Sequence, residues 1–163
     1  MLACLHAFPM GRIEHLKANA TRATLMRLSE DSGEIEMHGL LCYLRLHSAP
    51  DVSPELALAL TRLIPGWIAK NLERDPSKWT GYGMRPLDIA PTSDSPWRAS
   101  IDSDIEAHLD YLIQSQMPDG SWHPHWDWGG TFPEAWPKAK LQWQAVLTLD
   151  HLRTLRSYHR ING

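Results

Sequence analysis

The stretch Gln116-Met117-Pro118-Asp119-Gly120-Ser121-Trp122 constrains this chain more than any other. Pro118-Asp119-Gly120 is strong turn chemistry, because Pro fixes its own φ, Asp hydrogen-bonds the backbone ahead of it and Gly accepts a positive φ. Before the turn, Ile101, Ile105, Leu109, Leu112 and Ile113 recur at the helical period. Asp102, Asp104 and Glu106 stand at the end of that segment where the helix dipole favours acids. After the turn an irregular aromatic segment runs from Trp122 to Gly130. A second helix then starts near Pro133-Glu134 and continues to about Tyr158, carrying Trp136, Leu141, Trp143, Val146, Leu147, Leu149, Leu152 and Leu155. The turn therefore closes a helical hairpin over residues 101–158. The apolar arc of its last helix is wider than a one-sided surface helix needs, which predicts burial between neighbours.

The rest of the chain repeats the theme. Ile13, Leu16, Ala20 and Ala23 follow the helical period, and Leu25 and Leu28 widen the stripe. With an apolar half-helix over residues 2–8 and a turn at Pro9-Met10-Gly11, they predict a first hairpin over residues 1–28. Met37, Leu40, Leu41 and Leu44 precede the start signal Ser53-Pro54-Glu55, after which Leu56, Leu60, Leu63, Ile64, Trp67, Ile68 and Leu72 recur. This is a second hairpin, over residues 34–73, with a kink expected at Pro65-Gly66. Between residues 75 and 100, Pro76, Gly81, Gly83, Pro86, Pro91 and Pro96 exclude a long helix, and no alternating strand pattern replaces it. Trp79, Tyr82, Met84, Leu87, Ile89 and Trp97 predict a long loop that packs down. The expectation is an all-α chain of 163 residues forming one domain.

Composition narrows the functional classes. The net charge of -3 comes with basic residues dispersed among acids, which excludes a concentrated nucleic-acid-binding patch. No apolar run approaches the roughly 18 residues that cross a bilayer. The apolar N-terminus lacks a positively charged leader and a small-residue cleavage signal. Two cysteines are too few for a disulfide framework or an all-thiolate zinc site, and a cytoplasmic location is expected. Eight Trp and twelve Pro against two Phe favour large flat side chains held by rigid turns, as a core or as a ligand-binding wall.

Gln116, followed four residues later by Gly120 and two after that by Trp122, resembles the QW repeat of squalene/hopene cyclases and the related repeat of prenyltransferase β-subunits. The resemblance covers residues 105–158 and a single repeat. The aromatic usual four residues before the Gln is replaced by Leu112, with Tyr111 one position away. The stretch from Trp79-Thr80-Gly81-Tyr82-Gly83 through Arg85-Pro86-Leu87-Asp88 to Leu152-Arg153-Thr154-Leu155-Arg156 also resembles the C-terminal half of a longer bacterial family of no assigned activity, whose N-terminal half carries further such repeats. The resemblance implies a partial α/α toroid of inner and outer helices. Three hairpins leave an apolar edge, so a truncated or split toroid is expected, covered by self-association or by a missing N-terminal half through the first helices. In the turn itself, the Gln116 side chain is expected to reach unpaired amides of the following element, while Trp122 packs over the turn.

The same resemblance sets the chemistry to look for. Class II cyclases protonate substrate with the middle Asp of Asp-x-Asp-Asp; Asp102-Ser103-Asp104-Ile105 lacks the final acid and reads as a helix start. Prenyltransferase β-subunits hold zinc with Asp, Cys and His. The nearest approach is His38 and Cys42, one turn apart but without matching context, which suits a buried Cys beside a partly exposed His. No cofactor is expected. The one candidate for a divalent metal is His123, His125 and Asp127, which an extended backbone would put on one side; Pro124, Trp126 and Trp128 suit a wrapped structural segment instead. Asp150 shares a helix face with Trp143 and Leu147, so it is either a desolvated general acid or an ordinary partner of Arg153. Arg85 and Asp88 fix a polar ligand group or pin the long loop. Trp79, Tyr82, Trp97, Trp126, Trp128, Trp136 and Trp143 form an aromatic wall for an isoprenoid or a sugar, or pack in the core. The expected function is non-catalytic binding of a small apolar or aromatic-stacking ligand, or of a partner protein segment. The alternative is a cyclase-like or carbohydrate-active enzyme using Asp150 or Asp127 as its acid.

Overall fold

The computed structural model describes residues 14–30 and 33–162. The predicted half-helix over residues 2–8 and its turn lie outside them. The described residues hold six α-helices and no strand: α1 (Glu14–Ser29), α2 (Met37–His47), α3 (Pro54–Asn71), α4 (Pro86–Ile89), α5 (Asp102–Gln114) and α6 (Trp136–Ser157). The chain divides into two compact units, Met1–Leu72 and Glu73–Gly163, where the sequence pattern suggests one.

In the first unit α2 and α3 pair antiparallel. Tyr43 meets Trp67 with ring centroids 5.2 Å apart, and farther along α2 His47 Nε2 lies 3.1 Å from Thr61 Oγ1. Leu40, Leu44, Leu46, Leu56, Leu60, Ile64, Trp67 and Ile68 are buried, as their spacing requires. Each start is capped. The Glu36 carboxylate accepts from the amides of His38 (3.0 Å) and Gly39 (2.7 Å), and Ser53 Oγ accepts from Leu56 N (3.3 Å) ahead of Pro54. Helix α3 runs unbroken through Pro65-Gly66, both of which face solvent. Helix α1 packs on α3 through one narrow stripe: Leu28 is its only buried residue, while Leu16 and Met26 are exposed.

In the second unit α5 is the central element. Ile105, His108, Leu109 and Leu112 on one face are buried against the long loop, which contributes Trp79, Met84, Leu87, Ile89 and Trp97. That loop is organised by two single 3-10 turns, Pro76–Lys78 and Arg98–Ser100, and by the one-turn helix α4. It packs down as predicted, except at Tyr82, which is 84% exposed. The acids of α5 point outward to cations: Asp102 to Arg98 (3.1 Å), Asp104 to Arg74 (3.3 Å), Glu106 to Arg160 (3.0 Å) and Asp110 also to Arg160. Such exposed pairs each contribute about 0–1 kcal/mol, so the apolar face of α5 does most of the holding.

The Gln116–Trp122 turn joins α5 to the segment leading to α6. Gly120 has φ +83°, and its amide donates to Met117 O at 2.8 Å. Asp119 accepts from both Ser121 N and Ser121 Oγ, which holds its carboxyl below the usual range. Trp122 is buried and donates through Nε1 to Leu112 O at 2.8 Å, so it does seal the hairpin. Gln116 works in the opposite sense to the expectation: its Nε2 donates to Gly120 O at 2.9 Å rather than accepting from amides. The turn's amides are already committed to Met117 O, Ser121 O and Asp119, and a carbonyl is what remains.

Helix α6 is anchored near its C-terminus and at its middle. Near its C-terminus, Ser157 Oγ accepts from Ser93 N (2.8 Å), Leu155 is buried and the Tyr158 hydroxyl donates to Ala90 O (2.7 Å). Mid-helix, Thr148 Oγ1 accepts from Trp122 N at 3.2 Å. The expected burial between neighbours does not occur: Leu141, Trp143, Val146, Leu149 and Leu152 are all exposed. The wide arc records which residues avoid water, while only one side of it meets the rest of the unit.

Candidate aromatic site

The tryptophans sort into two groups by what their indole N–H groups do. Trp79 and Trp122 are buried, and each donates to a backbone carbonyl, Trp79 to Glu73 O at 2.8 Å and Trp122 to Leu112 O. They are core residues. Trp79 also packs against His108 (4.5 Å) and Tyr111 (5.2 Å). Trp97 is buried as well, and Tyr82 is 84% exposed, so none of Trp79, Trp97 and Tyr82 joins the open aromatic cluster.

The other group converges. Trp126 lies 5.6 Å from Trp136 and 5.0 Å, edge to face, from Trp143; Trp128 lies 5.2 Å from Trp136 and 6.4 Å from Phe132. Trp136 and Trp143 are seven residues apart on α6, hence on one face. The segment after Trp122 brings Trp126 and Trp128 onto that face. All five rings are partly or fully open, with Phe132 69% exposed. Among the described residues no protein acceptor takes the indole N–H of Trp126, Trp128, Trp136 or Trp143, in contrast to the core pair. Four of the nine predicted ligand residues are thus gathered into one platform. Phe132, which completes it, was not among them; its backbone sits at φ +55° beside Gly129 and Gly130, a tight reversal that turns the ring outward.

The predicted polar residues are accounted for differently. Arg85 N and Arg85 Nε both donate to Asp88 Oδ2, at 2.8 and 3.2 Å, a capping box that pins α4. Asp127 Oδ1 accepts from Gly129 N at 2.7 Å and so supports the reversal. His123, His125 and Asp127 do not form a metal site: among the described residues no three His, Cys, Asp or Glu side chains are placed to hold a metal ion. A bend at His125 interrupts the extended run that would have aligned them. Asp150 is exposed and lies 3.8 Å from Arg153, the ordinary pair rather than the desolvated acid. Cys42 is a free, exposed thiol rather than a buried one, with His38 exposed beside it.

Sequence reasoning passed over two histidines of the interior. His108 is 5% exposed; its Nδ1 accepts from Leu87 N at 3.2 Å, which assigns its proton to Nε2. His151 meets Trp122 edge to face at 5.2 Å, and its buried Nδ1 has no hydrogen-bond partner among the described residues. Burial, reinforced by the positive charge of Arg85, pushes both down to about 4 and His125 in the same direction. His108 and His151 are therefore neutral at pH 7. The signal was present for His108, a polar residue on the apolar stripe of α5, at one-turn spacing from Ile105 and Leu112.

An open groove of about 680 Å³ lies elsewhere, along α1, lined by Lys17, Arg22, Leu25, Met26 and Glu55 among others. Its walls mix both charges with aliphatic groups and include none of the predicted ligand residues. The aromatic platform is the stronger candidate because its groups are of one chemical kind and converge. Comparison with protein-family models, with curated proteins and with solved structures gives no match to this chain. No helix of the described residues is long and apolar enough to cross a membrane.

Proposed function

We propose that this chain is a helical binding domain whose aromatic platform takes a small ligand that stacks on tryptophan faces, and that it does so without catalysing a reaction. The observation that carries this reading is the convergence of Trp126, Trp128, Trp136 and Trp143 with rings open and N–H donors uncommitted. Flat apolar faces bordered by donors suit a sugar-like ring, which offers C–H groups to the faces and hydroxyl oxygens to the donors; a flat apolar ligand would use the faces alone. The positions of Asp150, exposed beside Arg153, and Asp127, engaged with Gly129 N, speak for binding rather than acid catalysis.

We also read α5, the Gln116–Trp122 clasp and α6 as one hairpin of the α/α-toroid type. Support comes from the positive φ of Gly120 and from the Trp122 side chain closing back on Leu112. In such a ring further hairpins would cover part of α6.

The test is a titration of intrinsic fluorescence with a panel of mono- and oligosaccharides and prenyl alcohols. Trp128→Ala and Trp143→Ala should each weaken binding about three- to tenfold, from lost stacking of about 0.5–1.5 kcal/mol, with folding intact. If no member of the panel perturbs the fluorescence, or the variants bind as the parent does, the platform is only a structural cluster.

A further inference from the structure

A second uncovered surface lies on the side of α6 turned away from Trp136 and Trp143. Leu141, Ala145, Leu149 and Leu152 succeed one another at spacings of four, four and three residues, which sets them in a single stripe, with Val146 on its shoulder. Leu141 is 68% exposed, and Val146, Leu149 and Leu152 are exposed with it. Together they present roughly 400 Å² of apolar surface, the size of the largest patch on a typical monomer, which is often a functional one.

The charges around the stripe say what covers it. Lys138 stands at its N-terminal end, Arg153 and Arg156 at its C-terminal end, and Asp150 is the one acid of the helix, while Lys140 shares the face of Trp136 and Trp143. Four cations less one acid leave α6 with a net charge of +3 in a chain whose net charge is -3. Arg153 pairs loosely with Asp150 at 3.8 Å, and Lys138, Lys140 and Arg156 have no carboxylate partner among the described residues. A second copy laid antiparallel on this face would bring Lys138 against Arg153 and Arg156 of the other copy, and a parallel one would set each cation against its twin. A lipid surface gains nothing from a small residue at mid-stripe. Ala145 at that point lets a crossing helix approach to the usual 8–10 Å, roughly, between axes.

We propose that this face of α6 binds an amphipathic helix of a partner protein whose leucine-type stripe is flanked at both ends by Glu or Asp. Ridges of the partner pack over Ala145 between Leu141 and Leu149, and its terminal acids pair with Lys138, Arg153 and Arg156. The site is independent of any ligand on the aromatic platform, because the two occupy different sides of the helix.

The test uses the full chain and two synthetic helical peptides about 20 residues long, enough to span the stripe. They share one leucine stripe and differ in carrying Glu or Lys at both ends. By calorimetry the acidic peptide should bind at least about tenfold more tightly than the basic one, and added salt should narrow the difference. Leu149→Glu should abolish binding. The double variant Arg153→Glu/Arg156→Glu should lose the preference or reverse it, and Trp128→Ala should bind the acidic peptide as the parent does. All these positions are exposed, and circular dichroism establishes that each variant folds. Equal binding of the two peptides, or binding of neither, overturns the proposal. So does retention of the chain on phosphatidylserine vesicles that Leu149→Glu releases, or a dimer in sedimentation that Leu149→Glu splits.

Discussion

Acidification should destabilise the second unit before its carboxylates titrate, and His108 is the main reason. In the fold its ring is buried among Trp79, Tyr111 and the backbone of Leu87, with Arg85 adding a repulsive charge, and it holds a proton only at about pH 4 instead of 6.5. Between those values the unfolded chain binds a proton that the folded chain refuses, so stability is complete above pH 6.5 and falls as the pH drops toward 4. At about 1.4 kcal/mol per pH unit, His108 removes about 3 kcal/mol across the window. His151, displaced in the same direction but less deeply buried, adds a smaller loss of about 2 kcal/mol after allowance for solvent screening. Against a typical total of about 5–15 kcal/mol for a domain, these losses are large. Urea unfolding followed by near-ultraviolet circular dichroism at a series of pH values from 7.5 to 4.5, roughly, measures the slope directly. In His108→Gln, whose amide oxygen can still accept from Leu87 N, stability at neutral pH should drop somewhat while the slope between pH 6.5 and about 4 becomes much shallower. A parent protein with flat stability over that window, or a His108→Gln variant with an undiminished slope, would refute the argument.

Other consequences follow from single contacts. Trp122→Phe removes the donor to Leu112 O and should cost about 1–3 kcal/mol in chemical denaturation, whereas Trp122→Ala, which also opens a cavity, should cost about 3–5 kcal/mol. Gly120→Ala forces a side chain to φ +83° and should lower stability by about 1–2 kcal/mol, although no atom obstructs the new methyl group; an unchanged melting temperature would contradict the strained-turn account. The Tyr158 hydroxyl, pushed up to about 12 by burial and tied to Ala90 O, should escape ionisation in a spectrophotometric titration until the chain unfolds, and Tyr158→Phe should cost about 1 kcal/mol. Ser53→Ala, which removes the cap of α3, should cost about 1 kcal/mol by thermal melting.

The fold was legible where periodicity and turn chemistry agree. Ser53-Pro54 marked the start of α3, Pro118-Asp119-Gly120 marked the turn after α5, and the buried faces of α2, α3 and α5 coincide with their apolar stripes. The loop between residues 75 and 100 could be foreseen to pack down because its large side chains had no alternative, yet Tyr82 could not be told from Trp79, since no period distinguishes faces in irregular backbone. Direction was also hidden. The donors and acceptors of Gln116 were both plausible partners for the turn, and only the prior commitment of its amides decides that a carbonyl is what the side chain meets. For His123, His125 and Asp127 the alternation was real, but a strand-like geometry needs a partner strand to hold it, and here a bend intervenes.

Helix α6 shows why the site was only half legible. Its apolar residues span most of the circumference, and a wide arc in sequence means that water is avoided on several sides without saying what replaces it. The structure resolves the arc into parts with different chemistry. Leu155 faces the core, Trp136 and Trp143 meet the aromatic segment, and Leu141, Leu149 and Leu152 remain exposed. The first part is satisfied by folding. The second is satisfied in ring contacts and leaves its N–H donors open to solvent, which fits the stacking ligand proposed for it. The third offers only aliphatic area between cations, which a small polar molecule cannot use and a helix can. The two uncovered surfaces therefore call for different occupants, and substitutions on one should leave the other's binding unchanged.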